Sequence, residues 1–151
     1  MSFNNVLEDI KLIYNYAEKT YIDKNKKHNY IQYSVYALAK KYNCVGKMEH
    51  QIKNAYKTKS GKVRVGYIDV VWFFQDKIIL AFEVDSACRY KSVEKLLKVD
   101  SKYKVWLCYQ KNFKYRISKS EEIKYILPFY NFWIKKQIKT HMRLYYFTLK
   151  F

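Results

Sequence analysis

The spacing of apolar residues along the chain predicts two helices followed by a group of strands. Over residues 6–17 and again over 31–42, apolar positions recur every three or four residues, as on one face of an amphipathic helix. The segment between them, IDKNKKHN at 22–29, is polar and basic and predicts a loop. From residue 45 to 56 the period changes to two, which predicts a strand that ends at a KTKSGK turn.

Two strongly apolar runs follow, GYIDVVWFF at 66–74 and IILAFEVD at 78–85. Their β-branched and aromatic residues favour strands, and the short link between the runs favours a hairpin. A three-residue loop, Gln75–Lys77, would place Asp69 opposite Glu83. A two-residue loop would shift the register by one and turn Asp69 to the other face of the sheet.

The rest of the chain adds a helix at 86–98, a strand at 104–109, a helix near 120–138 interrupted at Pro128, and a final edge strand within 142–151. A strand-helix-strand return favours a mixed sheet with helices packed against it. We therefore expect an α/β fold in which a central mixed β-sheet, with an αβββαβ core, is flanked by helices. One domain would span 1–151, with its core at about 31–110 and a C-terminal helix and strand extension at 118–151.

The net charge of the chain says more about its function than its length does. The 151 residues contain 30 Lys and Arg against 13 Asp and Glu, a formal net charge of +17. A surplus of this size attracts polyanions, of which nucleic acid is the first candidate. No apolar run approaches the length of a membrane span. An anionic membrane surface is the competing partner, but no strongly amphipathic basic helix supports it, so we expect no membrane partner. The exposed basic residues predicted to touch phosphate are Lys26, Lys27, Lys57, Lys59, Lys62 and Arg64.

The three cysteines, Cys44, Cys88 and Cys108, are odd in number and widely spaced. They form no CxxC pair, so the sequence indicates neither a disulfide framework nor a zinc site. The N-terminal sequence has no basic stretch followed by an apolar one, which is the pattern of a signal peptide. We therefore expect reduced thiols in a protein of the cytoplasm.

Three carboxylates interrupt the two apolar strands: Asp69, Glu83 and Asp85. Side chains alternate along a strand, so Glu83 and Asp85 share a face, and the three-residue loop would bring Asp69 to it. Buried and unpaired, each carboxylate would cost several kcal/mol. Hard oxygen ligands suit Mg²⁺ or Mn²⁺, so a bound cation would remove that cost. Glu49, on the preceding strand, is either a further ligand or an ordinary exposed residue.

This order of elements, with Asp69 and Glu83 on consecutive strands, resembles the PD-(D/E)XK nuclease superfamily, whose fold is restriction-endonuclease-like. The resemblance covers about residues 31–110. It implies that Asp69 and Glu83 bind Mg²⁺ or Mn²⁺ and that the protein hydrolyses phosphodiester bonds in DNA. It also makes a homodimer plausible, because many members that cut both strands pair two active sites. The low-Gly, Tyr- and Lys-rich composition is similar to that of small nucleases of archaeal viruses and mobile elements.

The chain departs from the family motif at one position. The motif lysine, which supplies positive charge near the scissile phosphate, is Asp85 here. Some members take that lysine from the following helix, where Lys91 and Lys95 lie one turn apart. We expect Lys95 or Lys91 to serve, with Lys95 slightly preferred and Asp85 as an additional catalytic group. The alternative is a catalytically inactive protein that keeps the nuclease fold and binds nucleic acid.

Overall fold

A computed structural model describes residues 1–86, 90–108 and 144–148; the side chains of Tyr90, Val93, Cys108 and 144–148 are not described. The helices and strands follow the predicted order. They are α1 (Phe3–Thr20), α2 (Lys24–Leu38), a short 3-10 helix (Ala39–Tyr42), β1 (Val45–Lys57), β2 (Val63–Phe74), β3 (Lys77–Asp85), α3 (Tyr90–Lys98), β4 (Tyr103–Cys108) and β5 (Leu144–Thr148).

The five strands form one mixed sheet in the order β1-β2-β3-β4-β5. The pairs β1–β2, β2–β3 and β4–β5 are antiparallel, whereas β3 and β4 are parallel and joined through α3. A mixed α/β fold with helices against a central sheet is therefore confirmed. So is the final strand, which lies at the sheet edge beyond β4. The helix predicted near 120–138 lies outside the described residues.

The sheet separates two apolar cores. On one face, α1 and α2 pack on the larger core, to which Ile10, Ile31 and Trp72 contribute buried side chains. On the other face, the smaller core contains Ile68 of β2 and Leu96 of α3. The strands β2 and β3 contribute apolar side chains to both cores, which explains their nearly continuous apolar runs.

The basic segment 22–29 was wrongly predicted to be a loop. The helix α2 begins at Lys24, and the Asp23 side chain caps it by accepting a hydrogen bond from the Lys26 main-chain N–H at 2.8 Å. An aspartate directly before the first helical residue is a helix start signal, and here it outweighs the polarity of the segment. Lys27 is consequently buried, with its Nζ 2.8 Å from Glu18 Oε2, and is not on an exposed loop.

The β2–β3 hairpin has the predicted register at Asp69, but its turn and strand pairing differ from those predicted. Its turn has two residues, Gln75 and Asp76, both with positive φ, so the predicted three-residue loop is wrong. The two-residue turn starts the hairpin one residue out of the expected register, but Ile79 is left unpaired between Ile78 and Leu80. This bulge restores the register, and the last recorded pair, Val70 with Phe82, brings Asp69 and Glu83 to adjacent positions.

The β1–β2 hairpin is longer than its neighbours. The β2–β3 register covers only residues 70–74 of β2, so the distal part of the hairpin, residues 52–67, is a two-stranded ribbon. We call it the ribbon arm. A register shift between Ile52 and Tyr56, with Asn54 at φ 53°, bends β1 within the arm.

Candidate active site on β2, β3 and α3

Asp69 and Glu83 meet where β2 and β3 separate. The main-chain N–H of Asp69 donates to Glu83 Oε1 at 3.2 Å, and the N–H of Val84 donates to Asp69 Oδ2 at 2.8 Å. Each carboxylate therefore accepts a hydrogen bond from the opposite strand, in place of the ladder bonds that would continue the hairpin. The two side chains lie together at one site, as the sequence spacing predicts.

The backbone is irregular on both strands of this rung. Ile68 packs in the smaller core and Val70 in the larger one, so β2 departs from strict alternation at Asp69. Across from Asp69, Glu49 has φ 52°, a left-handed conformation that is uncommon outside glycine. It falls between the pairs Met48–Val70 and His50–Ile68. Bulges and strained residues of this kind concentrate beside functional sites.

Lys95 of α3 reaches into the same site. Its Nζ lies 2.7 Å from Glu83 Oε2 and 2.8 Å from Oε1, and it also donates to the main-chain oxygen of Tyr67 at 2.7 Å. The stem of Lys95 crosses β2 at Gly66, where an added Cβ would come within 3.1 Å of Lys95 Cδ and 2.6 Å of Ala55 Cβ. Because glycine has no Cβ, position 66 leaves room for the Lys95 side chain to cross β2.

Lys91, the other helix lysine predicted from sequence, lies elsewhere. Its Nζ stands 4.1 Å from the centre of the Tyr56 ring on the ribbon arm, a cation–π contact. Of the two candidates, the structure thus brings only Lys95 to the carboxylates. The difference follows from helix geometry, because residues four apart lie on one face but a turn, about 5.4 Å, apart along the axis.

Asp85 shares the face of Glu83 but has a partner of its own. It is buried, and its Oδ2 accepts a hydrogen bond from Trp106 Nε1 at 2.8 Å. Trp106 is on β4, beside Glu83 in the parallel register. The indole satisfies one carboxylate oxygen of Asp85 without adding charge. Asp85 still acts on Glu83 through space, and its negative charge contributes to the raised pKa of Glu83.

Glu49 is held by α2. Gln32 Nε2 donates to Glu49 Oε1 at 2.6 Å and to the main-chain oxygen of Asp69 at 3.2 Å. Glu49 is exposed, and its charge is one of the influences that raise the pKa of Asp69. Among the residues that the structure describes, no three or more His, Cys, Asp or Glu side chains form a group that could hold a metal ion. Glu49 does not complete a triad of ligands with Asp69 and Glu83.

The site holds more negative than positive charge. Burial, followed by the charge of Asp69, raises the pKa of Glu83 to about 8, although Lys95 opposes the shift. Burial raises the pKa of Asp69 to about 6, against the Val84 N–H and the charges of His28 and Lys95. Two carboxylates and one lysine leave a surplus charge in a buried place, which favours either a retained proton or a bound cation.

Hard carboxylate oxygens with surplus negative charge suit Mg²⁺ or Mn²⁺. Mg²⁺ is commonly held by one or two carboxylates, with water and substrate phosphate oxygens as its other ligands. Asp69 and Glu83 match that donor set without a third protein ligand.

The predicted phosphate-binding residues are divided between two regions. Lys57, Lys59, Lys62 and Arg64 are all exposed on the ribbon arm. Lys26 is exposed near the start of α2, but Lys27 is buried against Glu18 and is not available on the surface without breaking that ion pair. Four of the six predicted phosphate-binding residues are therefore exposed on the arm.

Sequence reasoning missed three residues that shape the site: Gln32, Gly66 and Trp106. Gly66 carries a usable signal, because an isolated glycine inside an apolar strand often marks a close approach. Trp106 and Gln32 carry none, since an indole in a buried strand and a glutamine on a helix are ordinary until the register is known.

Comparison with known proteins adds no relative: no protein-family model, curated protein or solved structure matches the chain. Within the part of the chain that the structure describes, no helix is both long and apolar enough to cross a membrane.

Proposed function

We propose that this protein is a metal-dependent nuclease of the restriction-endonuclease-like PD-(D/E)XK type that hydrolyses phosphodiester bonds in DNA. The observation that carries the proposal is the meeting of Lys95 with Glu83 at 2.7 Å, beside Asp69. The motif requires two carboxylates and one positive charge. Here the charge comes from α3, which compensates for the acidic residue at position 85.

Asp69 and Glu83 would hold Mg²⁺ or Mn²⁺, which supplies Lewis-acid polarisation of the phosphate and a more acidic bound water. The protein groups do the positioning. Lys95, held by the Tyr67 main-chain oxygen, places an ammonium where negative charge develops on the phosphate. Asp85, fixed by Trp106, keeps negative charge next to Glu83 and so strengthens this site for a cation.

The net charge of +17 and the basic ribbon arm favour DNA as the partner. Contacts from lysines to phosphate raise affinity without selecting a sequence. We therefore propose structure-dependent recognition, or little specificity. A homodimer would allow two such sites to act on the two strands of a duplex.

A second candidate function is nucleic-acid binding without catalysis. It is favoured by Lys95, which lies within 2.8 Å of both oxygens of Glu83, and by Asp85, which is engaged by Trp106. In that case the cluster is a closed ion-pair network. The two functions differ in whether a divalent cation and a phosphate open the Lys95–Glu83 contact.

The test is cleavage of end-labelled linear, circular and branched DNA, and of RNA, with Mg²⁺, Mn²⁺ or EDTA. A Glu83→Gln variant purified in parallel controls for contaminating nuclease, because it preserves shape and most hydrogen-bonding capacity but removes the charge. Metal-dependent cleavage by the wild type alone supports the nuclease. An inert wild type that still binds DNA supports the second function. Equal cleavage by both proteins assigns the activity to another site or another protein.

A further inference from the structure

The two faces of the ribbon arm differ. On one face, Gly66 is buried under the stem of Lys95, and Tyr56 lies under Lys91 of α3. On the other face, alternate residues of β2 point away from α3: Val63, Val65 and Tyr67, each with 48% of its surface exposed. Exposed valines and a tyrosine in one row form an apolar stripe on a two-stranded ribbon. We call this row the arm stripe.

Positive charge surrounds the arm stripe. Residues 52–67 contain no Asp or Glu. Lys57 is paired with Val63 and therefore points to the same side, and Gln51 is paired with Tyr67. The basic residues of the arm, all exposed, are Lys53, Lys57, Lys59, Lys62 and Arg64. An apolar stripe within a purely cationic ribbon is complementary to a polyanion that also has apolar faces to bury.

One end of the arm stripe lies close to the candidate active site. The main-chain oxygen of Tyr67 accepts the hydrogen bond from Lys95, while its ring is half exposed on the stripe. Tyr67 is two residues from Asp69. The stripe therefore ends beside Asp69, on the sheet face opposite α3 and Lys95.

We infer that the arm stripe binds a single-stranded segment of DNA next to the candidate active site. Unpaired bases offer flat apolar faces that stack on an aromatic ring, and their phosphates contact the flanking lysines. A duplex hides its bases and presents phosphates, so it would use the lysines and leave Tyr67 and the valines uncovered. This inference rests on the proposed function only for its consequence, which is that the nuclease would prefer frayed, flapped or otherwise unpaired DNA.

Fluorescence anisotropy in EDTA tests binding without cleavage, on a labelled single strand and a blunt duplex of equal length. Tyr67→Ala should weaken single-strand binding about tenfold, the scale of one lost stacking contact, and leave duplex binding unchanged. A Lys59→Gln/Lys62→Gln variant should weaken both and reduce the salt dependence. Tyr16→Ala removes a tyrosine that is 53% exposed on α1 and serves as the matched control, with no expected effect.

Equal loss of single-strand and duplex binding in Tyr67→Ala overturns the inference in favour of a general phosphate surface. Single-strand binding that is unchanged in both Tyr67→Ala and Val65→Ser also overturns the inference. So does sedimentation in which these variants abolish a dimer, because the stripe then binds a second copy of the chain. Since these assays need no metal and no turnover, an inactive wild type with the expected binding pattern contradicts only the nuclease proposal.

Discussion

Two lysines are drawn into the interior on the α3 side of the sheet, and their surroundings differ. Lys104 of β4 is 1% exposed, and its Nζ donates to the main-chain oxygen of Val99 at 2.6 Å, just past the end of α3. Burial lowers the pKa of Lys104 to about 8, and the charge of Asp100 opposes this shift. Lys95 instead meets the carboxylate of Glu83, with Asp69 adjacent.

The comparison shows that burial alone does not mark a functional lysine. Lys104 satisfies a carbonyl at a helix C-terminus, where positive charge is favourable, and this is a structural role. The Asp69–Glu83–Lys95 cluster has one carboxylate too many, and apolar residues would stabilise the sheet at least as well. A surplus of like charge that the fold does not need is characteristic of a site that binds something.

The largest expected effect separates these two regions by activity. Glu83→Gln should reduce cleavage about 10³-fold or more, because it removes a charged ligand while it keeps the shape of the side chain and one acceptor oxygen. DNA affinity in EDTA should change little. Lys104→Met removes a charged side chain that is as buried as that of Glu83, and it should leave turnover per folded molecule unchanged. Measured rates on labelled DNA that fall equally in both variants would mean that the cluster has no special role.

The second prediction compares Lys95 with Lys91 on the same helix. Lys95→Met should lower turnover about 10²-fold, the scale of one charge-stabilising group, with DNA affinity nearly constant. Lys91→Met loses only its contact with the Tyr56 ring and should retain wild-type turnover. Single-turnover rates at saturating protein distinguish the two. Full activity in Lys95→Met would exclude a lysine supplied by α3.

The hairpin shows how much of the fold the sequence determines. The apolar runs and their short connection correctly predict adjacent antiparallel strands, because burial on both faces is a strong and local signal. The loop length is wrong and the register at Asp69 is right, since the bulge at Ile79 compensates for the tighter turn. Bulges depend on twist and packing across the sheet, and residue spacing carries no mark of them.

The candidate site is predictable in its residue types and less so in its partners. In the sequence, Asp69 and Glu83 are recognisable as charges within apolar runs. Lys95 is recognisable as a lysine on the helix after the motif. The contacts from Gln32 and Trp106 join residues far apart in sequence, and only the assembled sheet brings them together. The loop expected at Lys27 is likewise a helical turn, in which Lys27 is buried against Glu18 of α1.

The third prediction concerns Asp85, the departure from the motif. Asp85→Ala leaves the buried Trp106 N–H without its acceptor, which costs about 1–3 kcal/mol, while it relieves repulsion with Glu83. We expect a net destabilisation of about 1 kcal/mol by urea denaturation and a smaller loss of turnover than in Lys95→Met. Asp85→Asn keeps an acceptor and should stay near wild-type stability. A more stable Asp85→Ala protein would show that repulsion dominates at this position.

The smallest expected effect is a pH dependence of stability with opposite signs in the two regions. Without metal, Glu83 has a folded pKa raised from 4.5 to about 8, so the native state binds more protons than the unfolded state between these values. Stability therefore falls as pH rises through that window.

Lys104 has a folded pKa lowered from 10.5 to about 8, so the unfolded state binds more protons above pH 8 and stability rises there. These two groups together place a minimum of stability near pH 8. Urea titrations in EDTA should lose the part of the falling limb above pH 6 in Glu83→Gln, since the raised pKa of Asp69 accounts for the part below it. They should lose the rising limb in Lys104→Met. Added Mg²⁺ should flatten only the falling limb, because a cation at Asp69 and Glu83 replaces the proton that the native state otherwise retains. A falling limb that persists above pH 6 in Glu83→Gln would assign it to other groups and remove the surplus-charge argument from the site.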